Sequence, residues 1–291
     1  MFTINDIKIC VLGGDMRQIY AVRSMCKKGY NVNVFGLGEE VLSAKNADYL
    51  KYAVSNAKLI LLPLPFSTDG IRINCPLSNT DIKLDELVSA LSVGQIVAGG
   101  KFTDDFVKKI TQKNCIPYDY YSSEKLTVLN AVPTAEGAIS IAMNNLKTTI
   151  FGSKCAITGY GRIGRVLSKS LKSLGADVKV FSRSESSLAW AEVEGYTSLN
   201  ISQMEKHVSD LNIIFNTVPD VVINRKVIDN MTSDAIIIDL ASSPGGVELD
   251  YAKQKNRKVI FAHSLPGKVA PETAGNIISD TVLSKMSEVF Q

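Results

Sequence analysis

The sequence predicts an α/β protein with two doubly wound parallel-sheet domains, of which the C-terminal one is a Rossmann domain that binds NAD(P). Short runs rich in Val, Ile and Leu alternate with helical patterns along the whole chain. This alternation is typical of parallel sheets covered by helices on both faces. A glycine-rich turn near the middle of the chain also has the context of a dinucleotide-binding unit. The 291 residues suffice for two domains of ordinary size.

Ten apolar runs are predicted to be strands, five in each half of the chain. Each run is bounded by Gly, Pro, Asn or Asp and is followed by a segment that can be helical. In chain order they are DIKICVLG, NVNVFG, KLILLPL, GQIVAGG and CIPYDYY, then KCAITGY, DVKVFS, LNIIFNTV, AIIIDLA and KVIFAH. Two such series predict two domains with a cleft between them.

The segment that joins the two series, NAVPTAEGAISIAMNNLKTTIFGSK, is predicted to be a linking helix. Pro133 sets a turn and Thr134 can cap the helix. Glu136 then lies in the first turn, where the helix dipole favours a negative charge. We therefore predict a flavodoxin-like domain on the substrate side over 1–132, the linking helix over 133–150, the NADP-binding Rossmann domain over 151–275, and a helix over 276–291 that could pack on the first domain.

The composition favours a cytosolic globular protein. The net charge of +3, without a block of Lys or Arg, gives no support for nucleic-acid or membrane binding. No signal peptide and no apolar run of about 20 residues is visible in the sequence. Five scattered cysteines without a CxxC pair suit buried thiols in a reducing compartment. With only His207 and His263 as histidines, we expect no metal site.

The pattern Gly159-x-Gly161-x-x-Gly164 lies between a predicted strand and a predicted helix, and a second strand follows at the expected distance. Gly159 permits a tight turn, Gly161 lets the backbone approach a pyrophosphate, and Gly164 brings the helix close to the strand. The helix N-terminus supplies N–H groups for the phosphates. The residues predicted to bind the cofactor are Gly159, Tyr160, Gly161, Arg162, Ile163, Gly164, Ser182, Arg183, Ser184, Thr217, Val218, Pro219, Leu240 and Ala241.

The strand that follows this turn ends in Ser182, Arg183 and Ser184. An NAD-binding domain normally has an Asp or Glu here, which binds the ribose hydroxyls. A guanidinium and two hydroxyls suit a 2′-phosphate instead, because hydrogen bonds to charged groups are worth ~1.5–3 kcal/mol each. The pattern therefore favours NADP, and an exposed, solvated arginine is the alternative.

An earlier glycine turn, Gly13-Gly14-Asp15, lacks the third glycine. Asp15 would repel a pyrophosphate and is instead predicted to cap the next helix. Arg17 and Gln18 then lie in the first turn at the end of the sheet, where open sheets bind ligands. Arg17 could hold a substrate carboxylate there, and a surface arginine in an ordinary first turn is the alternative.

Five motifs in the expected order resemble the A subunits of dipicolinate synthase. They are GGDMRQ, VPTAEGAI, GYGRIGRVLSKSLKSLGADVKVFSRS, DLASSPGG and LPGKVAPETAG, and the match covers essentially the whole chain. The glycine pattern alone is shared by many dehydrogenases, whereas the combination is much more specific.

The resemblance implies an NADP-dependent oxidoreductase subunit in the cytoplasm of a sporulating bacterium, specifically the mother cell. It implies oxidation of a dihydrodipicolinate-type intermediate of the lysine pathway to pyridine-2,6-dicarboxylate. The partner would be a flavoprotein-like B subunit, in a homo- or hetero-oligomer. Either the dihydro or the hydroxy-tetrahydro form could be the substrate.

In this chemistry a hydride leaves a ring carbon for C4 of the nicotinamide and a proton is lost. The candidate residues for binding the dicarboxylate are Asp15, Arg17, Gln18 and Lys268. His263 or Glu136 could accept the proton. A structural histidine at a strand end and a structural glutamate in a first helical turn remain the alternatives.

The second domain is also similar to those of alanine dehydrogenases and 2-hydroxyacid dehydrogenases. Ser243 stands where alanine dehydrogenases have an aspartate, and only His263 falls in a loop comparable to the catalytic set of the hydroxyacid enzymes. The alternatives are therefore an NADP-dependent dehydrogenase or reductase of another small carboxylate, and a non-catalytic NADP-sensing subunit of a two-subunit complex.

Overall fold

The computed structural model describes residues 7–38, 41 and 43–290, which form two compact units. The first comprises Met1–Asn130 and Ala270–Gln291, and the second comprises Ala131–Val269. Each unit contains a six-stranded sheet in which all neighbouring strands pair in parallel. The predicted fold class, two parallel-sheet α/β domains, is therefore confirmed.

The sheet of the first unit has the strand order β3-β2-β1-β4-β5-β6. Its strands are β1 (Lys8–Leu12), β2 (Asn31–Phe35), β3 (Lys45–Asn46), β4 (Leu59–Leu61), β5 (Ile96–Gly99) and β6 (Ile116–Asp119). Without the two-residue β3, the remaining five strands have the flavodoxin order, and β3 at the edge extends it to the order of a dinucleotide-binding sheet.

Five helices accompany this sheet. They are α1 (Met16–Lys27), α2 (Leu50–Val54), α3 (Leu84–Ala90), α4 (Asp104–Gln112) and the C-terminal α11 (Pro271–Phe290). Helix α11 packs closely on α1, because a Cβ on Gly275 would lie 2.4 Å from the Arg17 carbonyl oxygen. Ile278, Val282 and Met286 of α11 are buried in the core of the first unit.

Helix α5 (Glu124–Asn145) differs from the predicted linking helix. It begins well before Thr134, so Pro133 lies inside the helix and Glu136 lies in its middle, not in its first turn. The predicted cap at Thr134 is therefore wrong. Four of the eight residues between Glu124 and Pro133 are good helix formers, namely Lys125, Leu126, Leu129 and Ala131.

Among the described residues, α5 is the one helix that is long and apolar enough to span a membrane by length and composition. In this structure, however, its apolar residues pack in a protein core. Ala135, Ala138, Ile139 and Ala142 are buried in the core of the second unit. A core helix of this kind passes the same test of length and composition.

The sheet of the second unit has the strand order β12-β11-β10-β7-β8-β9. Its strands are β7 (Lys154–Thr158), β8 (Asp177–Ser182), β9 (Thr197–Asn200), β10 (Ile213–Asn216), β11 (Ile236–Asp239) and β12 (Lys258–Phe261). The helices are α6 (Arg162–Ser173), α7 (Glu185–Val193), α8 (Arg225–Asn230), α9 (Leu249–Gln254) and α10 (Leu265–Val269). Read from β9, this is the order of a Rossmann sheet.

All ten predicted strands are present in the structure. The prediction missed β3 and β9, two polar strands at sheet edges, and the short helix α10. Edge strands such as β9 (TSLN) lack the apolar runs that mark buried parallel strands.

Candidate functional site

The glycine turn of the second unit connects β7 to α6. Gly159 has a φ of +85°, in the left-handed region that favours glycine. A Cβ on Gly164 would lie 2.2 Å from the Gly159 carbonyl oxygen, so the helix can approach the strand only if residue 164 is glycine. The roles predicted for Gly159 and Gly164 within the turn are confirmed by this geometry.

The N-terminus of α6 is arranged to receive an anion. Its N-cap residue is Gly161, which supplies no side-chain cap to the first N–H groups. A Cβ on Gly161 would meet no heavy atom of the described residues within 4 Å. The unsatisfied N–H groups and the positive end of the helix dipole together favour negative charge in this open space. The residues present therefore fit the pyrophosphate of a dinucleotide.

The side chain of Tyr160 connects the glycine turn to the end of α7. Its side chain is buried, and its hydroxyl donates a hydrogen bond of 2.7 Å to Glu194, just after α7. Burial, followed by this bond and the charge of Glu194, raises the pKa of Tyr160 above its ordinary value. The guanidinium of Arg165 lies over the Tyr160 ring and over the Trp190 ring. The turn is thereby tied to α7.

The end of β8 carries the predicted phosphate-binding residues. Ser182 is buried and its Oγ accepts the Ser184 N–H, while Ser184 caps α7 by accepting the Ser187 N–H. Arg183 is exposed, and its Nη1 lies 3.0 Å from a carboxylate oxygen of Asp220. Along the chain, the first carboxylate after β8 is that of Glu185, but the fold also places Asp220 next to Arg183.

The other predicted cofactor residues lie around a buried polar network at the ends of β7, β10 and β11. Thr158 donates to Asn216, and Asn216 donates to Asp239 at 2.8 Å. Asp239 is fully buried and also accepts the backbone N–H groups of Ala241 and Gly246, at 3.1 and 3.0 Å. The network fixes the loop that follows β11.

Of the remaining candidates, Thr217 and Val218 line Gly159, since a Cβ there would approach their side chains to 2.5 and 3.0 Å. Pro219 is exposed, and Leu240 and Ala241 are buried at the end of β11. Arg162 and Ile163 open α6.

His263 follows β12, and its Nε2 lies 2.8 Å from the Ala241 carbonyl oxygen. Because a carbonyl oxygen only accepts, Nε2 is the donor in this contact, and the tautomer of neutral imidazole that can make it carries its proton on Nε2. In that tautomer Nδ1 is the basic nitrogen. Lys268 is exposed on α10.

Glu136 is exposed on α5 and lines a groove of ≈ 630 Å³ with Lys169 and Ser173. Lys169 and Ser173 belong to the C-terminal half of α6, whereas the glycine turn precedes its N-terminus. Glu136 therefore lies toward the other end of α6 from the turn. This position does not suit the predicted role as proton acceptor at the nicotinamide.

Asp15, Arg17 and Gln18 lie in the first unit. Asp15 caps α1 as predicted. Gln18 completes a capping box, because its side-chain Oε1 accepts the backbone N–H of Asp15. Arg17 is buried, and its Nε and Nη2 donate to Asp15 at 2.9 and 2.8 Å, while Nη2 also donates to the Leu64 carbonyl. Burial acts to lower the pKa of Arg17, but the hydrogen bond and charge of Asp15 outweigh it and the pKa is raised.

These contacts commit the Nε and Nη2 edge of Arg17 to the protein, and its predicted role in holding a substrate carboxylate stays a prediction. A bidentate carboxylate needs two adjacent guanidinium donors, and Asp15 already occupies the Nε and Nη2 edge. Arg17 positions the start of α1 against Leu64 in this structure. Within the described residues, no group of His, Cys, Asp and Glu could hold a metal ion.

Sequence reasoning missed Asp220 and the Thr158–Asn216–Asp239 network. Asn216 and Asp239 are the last residues of their strands, so polar residues ending two apolar runs were a usable signal. Asp220 gave no such signal, because it is separated from Arg183 by 37 positions in the chain.

Comparison with known protein families agrees with this division of the chain. Residues 8–121 match the family described as the N-terminal domain of the dipicolinate synthase A subunit. Residues 134–257 match the family described as D-isomer specific 2-hydroxyacid dehydrogenase, NAD binding domain. The second match supports a nicotinamide cofactor and an oxidoreductase role.

Whole-length relatives extend this similarity. The A subunit of dipicolinate synthase from Bacillus subtilis (strain 168) is 29% identical over 290 residues, which cover 98% of each chain. The crystal structure of the A subunit from Bacillus halodurans has a TM-score of 0.88 at 26% identity, covering 98% of this chain and 99% of that one. The crystal structure of the protein from Bacillus subtilis has a TM-score of 0.88 at 28% identity, covering 99% of this chain and 98% of that one. The predicted resemblance to dipicolinate synthase A subunits is confirmed, and it suggests a partner subunit.

Proposed function

We propose that this chain, which is similar over its whole length to the A subunits of dipicolinate synthases, is the NADP-dependent oxidoreductase subunit of such an enzyme. Its substrate would be a dihydrodipicolinate-type intermediate and its product pyridine-2,6-dicarboxylate. The observation that carries the proposal is the uncapped N-terminus of α6 behind Gly161, in a chain with this whole-length similarity.

The preference for NADP is supported by the end of β8. Arg183 is exposed there and presents a guanidinium, and Ser184 lies beside it at the start of α7. A guanidinium is the side chain best suited to a phosphate, because its donors match the phosphate oxygens. Within the described part of the strand end, the first carboxylate along the chain is Glu185, inside α7.

The bound nicotinamide would supply the hydride acceptor for this oxidation. The turn from Gly159 to Gly164 would hold the pyrophosphate, and the Asp239 network would hold the loop after β11 in place. A rigid loop at this edge of the sheet restricts the orientation of the bound rings, which lowers the entropic part of the barrier.

His263 is the proposed proton acceptor. Its Nε2 is committed to the Ala241 carbonyl, so Nδ1 is the nitrogen that accepts the proton released when the ring becomes aromatic. The Asp239 network holds Ala241 through its N–H and thereby orients His263. Lys268, exposed on α10, is the proposed partner of a substrate carboxylate.

We further propose that the chain works in the cytoplasm of a spore-forming cell together with a flavoprotein-like B subunit. The similarity to proteins named as A subunits supports a partner, and the resemblance found in the sequence supplies its kind.

The test is a reaction of the purified chain with NADP and freshly generated dihydrodipicolinate precursor, with and without the candidate B subunit. NADPH and the aromatic product are followed together. Equal amounts of both are expected, and a requirement for the partner would show that one chain does not suffice. Tight NADPH binding without product in either mixture would contradict the proposed substrate and favour another carboxylate or a sensing role.

His263→Gln is the matched variant for the proton acceptor. Glutamine can still donate to the Ala241 carbonyl but cannot accept a proton at neutral pH. We expect kcat to fall by about 100-fold, within the usual range for loss of general-base catalysis, while NADPH affinity is retained. An unchanged kcat would remove His263 from the chemistry.

A further inference from the structure

Asp220 lies on the loop after β10, beside the predicted phosphate-binding residue of β8. Its Oδ2 is 3.0 Å from Nη1 of Arg183, and both side chains are largely exposed, at 60% and 64%. An exposed ion pair of this kind contributes little to stability, so a ligand can separate it at small cost.

The strand order shows that this ion pair spans the end of β7. In the sheet, β7 lies between β8 and β10, and Thr158 at the end of β7 pairs with Phe181 and with Asn216. Neighbouring strands are about 4.8 Å apart, so the ends of β8 and β10 are separated by roughly 10 Å. The pair therefore bridges the carboxyl end of β7, where the glycine turn begins.

The loop that carries Asp220 is also held in place against the turn. The Thr217 N–H donates to the Thr158 carbonyl, and the Val218 N–H donates to Asn216. Because its base is fixed in this way, the loop holds the Asp220 carboxylate close to Arg183.

From this juxtaposition we infer that Asp220 is a specificity-determining residue that limits the affinity for NADP by competing with the 2′-phosphate for Arg183. This inference rests on the proposed NADP function. In the free protein the Asp220 carboxylate pairs with Nη1 of Arg183, and a 2′-phosphate competes with it for the guanidinium. The phosphate carries close to two negative charges at neutral pH, so Asp220 also repels it directly. A cofactor without the 2′-phosphate neither takes over Arg183 nor experiences this repulsion at the same position.

The experiment measures the dissociation constants of NADPH and NADH for the full-length protein by fluorescence titration, in Asp220→Asn, Arg183→Gln and the double variant. Asp220→Asn is expected to tighten NADPH binding by about three- to tenfold and NADH binding by less than twofold, since the pair is exposed and screened by salt. In the Arg183→Gln background, the same change should improve NADPH binding by a smaller factor.

Asp234→Asn is the matched control. Asp234 is an exposed carboxylate of the same unit that precedes β11 and lies 3.9 Å from Lys147, so this variant removes the same charge at the amino end of the sheet. The control should leave both dissociation constants unchanged. The advantage of Asp220→Asn should also shrink as ionic strength rises from about 0.05 to about 0.5 M, because salt screens exposed charges.

The outcomes separate this inference from the proposed function. If Arg183→Gln weakens NADPH binding selectively but Asp220→Asn changes neither constant, the role of Asp220 is overturned and the NADP proposal stands. If Arg183→Gln weakens NADPH and NADH binding equally, the NADP assignment fails and the inference fails with it. Equal tightening by Asp220→Asn and Asp234→Asn would reduce the effect to net charge and overturn the inference.

Discussion

The two units place a glycine turn at the same point of sheets that have the same strand order. Gly13 and Gly159 both have a positive φ, of 59° and 85°. Each donates its N–H to the last part of the second strand, to Phe35 at 2.9 Å and to Phe181 at 2.7 Å. Counted from these glycines, Asp15 corresponds to Gly161 and Gln18 to Gly164.

The two turns differ in how the helix N-terminus is satisfied. Asp15 accepts the Arg17 N–H and Gln18 bonds back to Asp15, so side chains close the start of α1. Gly161 and Gly164 have no side chains to do this, and the start of α6 remains available to a ligand. The same topological position is an anion site only where the helix lacks its own cap.

In addition, the loop that contains Asn74 and Cys75 packs against the first turn. Gly14 donates its N–H to the Asn74 carbonyl at 2.9 Å, and a Cβ on Gly13 would lie 2.6 Å from Cys75 Sγ. Gly159, the counterpart of Gly13, is crowded in the same way, since a Cβ there would lie 2.5 Å from Thr217 Oγ1, whereas a Cβ on Gly161 would meet no heavy atom of the described residues within 4 Å. The capped start of α1 and the contact of Gly14 with Asn74 agree with the prediction that the first turn is not a second cofactor site.

The largest expected effect is that of Gly164→Ala. The new methyl would lie 2.2 Å from the Gly159 carbonyl oxygen, which is backbone and cannot move without opening the turn. We expect a loss of about 2–3 kcal/mol in the free energy of unfolding, together with loss of NADPH binding. Denaturant unfolding and NADPH titration measure the two effects.

Gly161→Ala is the control for stability in that experiment. The chemical change is the same, the φ of −87° suits any residue, and the methyl meets no heavy atom within 4 Å among the described residues. Equal stability losses in the two variants would contradict the close approach of α6 to β7.

Gly161→Asp places at the start of α6 the same capping residue that Asp15 provides at the start of α1. The aspartate should cap α6, which favours the folded state by up to about 1 kcal/mol. Its charge would occupy the space in front of the helix, so NADPH affinity should fall by about 100-fold, or ~2.7 kcal/mol.

Gly161→Ser is the matched variant, because serine caps the helix without a charge. It should lose much less NADPH affinity than Gly161→Asp, as measured by the same titration. A similar loss in both variants would assign the effect to the cap or to bulk, and not to charge.

Asp15→Ala tests the first turn. It removes the cap and leaves the buried Arg17 guanidinium without its carboxylate, so we expect a loss of about 2 kcal/mol in the free energy of unfolding, less than for a fully buried pair because a third of Asp15 is exposed. NADPH affinity at low temperature should not change.

Asp15→Asn separates the two contributions, since asparagine still caps the helix but carries no charge. A variant as stable as wild type would show that the cap matters and the ion pair does not. A change in NADPH affinity in either variant would break the contrast between the two turns.

The smallest expected effect is that of Tyr160→Phe, which removes the bond to Glu194 and should cost about 1 kcal/mol. Folding raises the pKa of Tyr160, chiefly through burial, so its stabilising contribution is complete below the unfolded pKa of about 10 and is lost as pH rises above it. The difference in unfolding free energy between wild type and Tyr160→Phe should therefore shrink from about pH 8 to about pH 11. A constant difference over this range would contradict the buried position of the hydroxyl.

Much of the fold could be predicted because parallel strands have a local signature. A strand buried on both faces must be apolar along its length, and the central strands of both sheets, such as β1, β5, β10 and β11, were found in this way. The start of α5 could not be found in this way. Proline disfavours a helix interior, and Pro133 nevertheless lies inside α5 in the structure.

The candidate site also has one part that could be predicted from the sequence and one part that could not. The turn from Gly159 to Gly164 could be predicted, because its glycines are required by local features. Gly159 has a positive φ, and a Cβ on Gly164 would lie too close to the Gly159 carbonyl oxygen. The contact between Arg17 and the Leu64 carbonyl could not be predicted, since this carbonyl belongs to a loop 47 positions away in the chain.

The sequence by itself determined the two series of strands, the dinucleotide turn and the absence of a carboxylate directly at the end of β8. These properties depend on neighbouring residues, through side-chain alternation, glycine conformations and helix caps. The tertiary structure alone decided that Asp220 lies beside Arg183 and that Asp239 holds the loop after β11, whose Ala241 carbonyl contacts His263. These contacts join ends of strands far apart in the chain, and only the winding of the sheet brings such ends together.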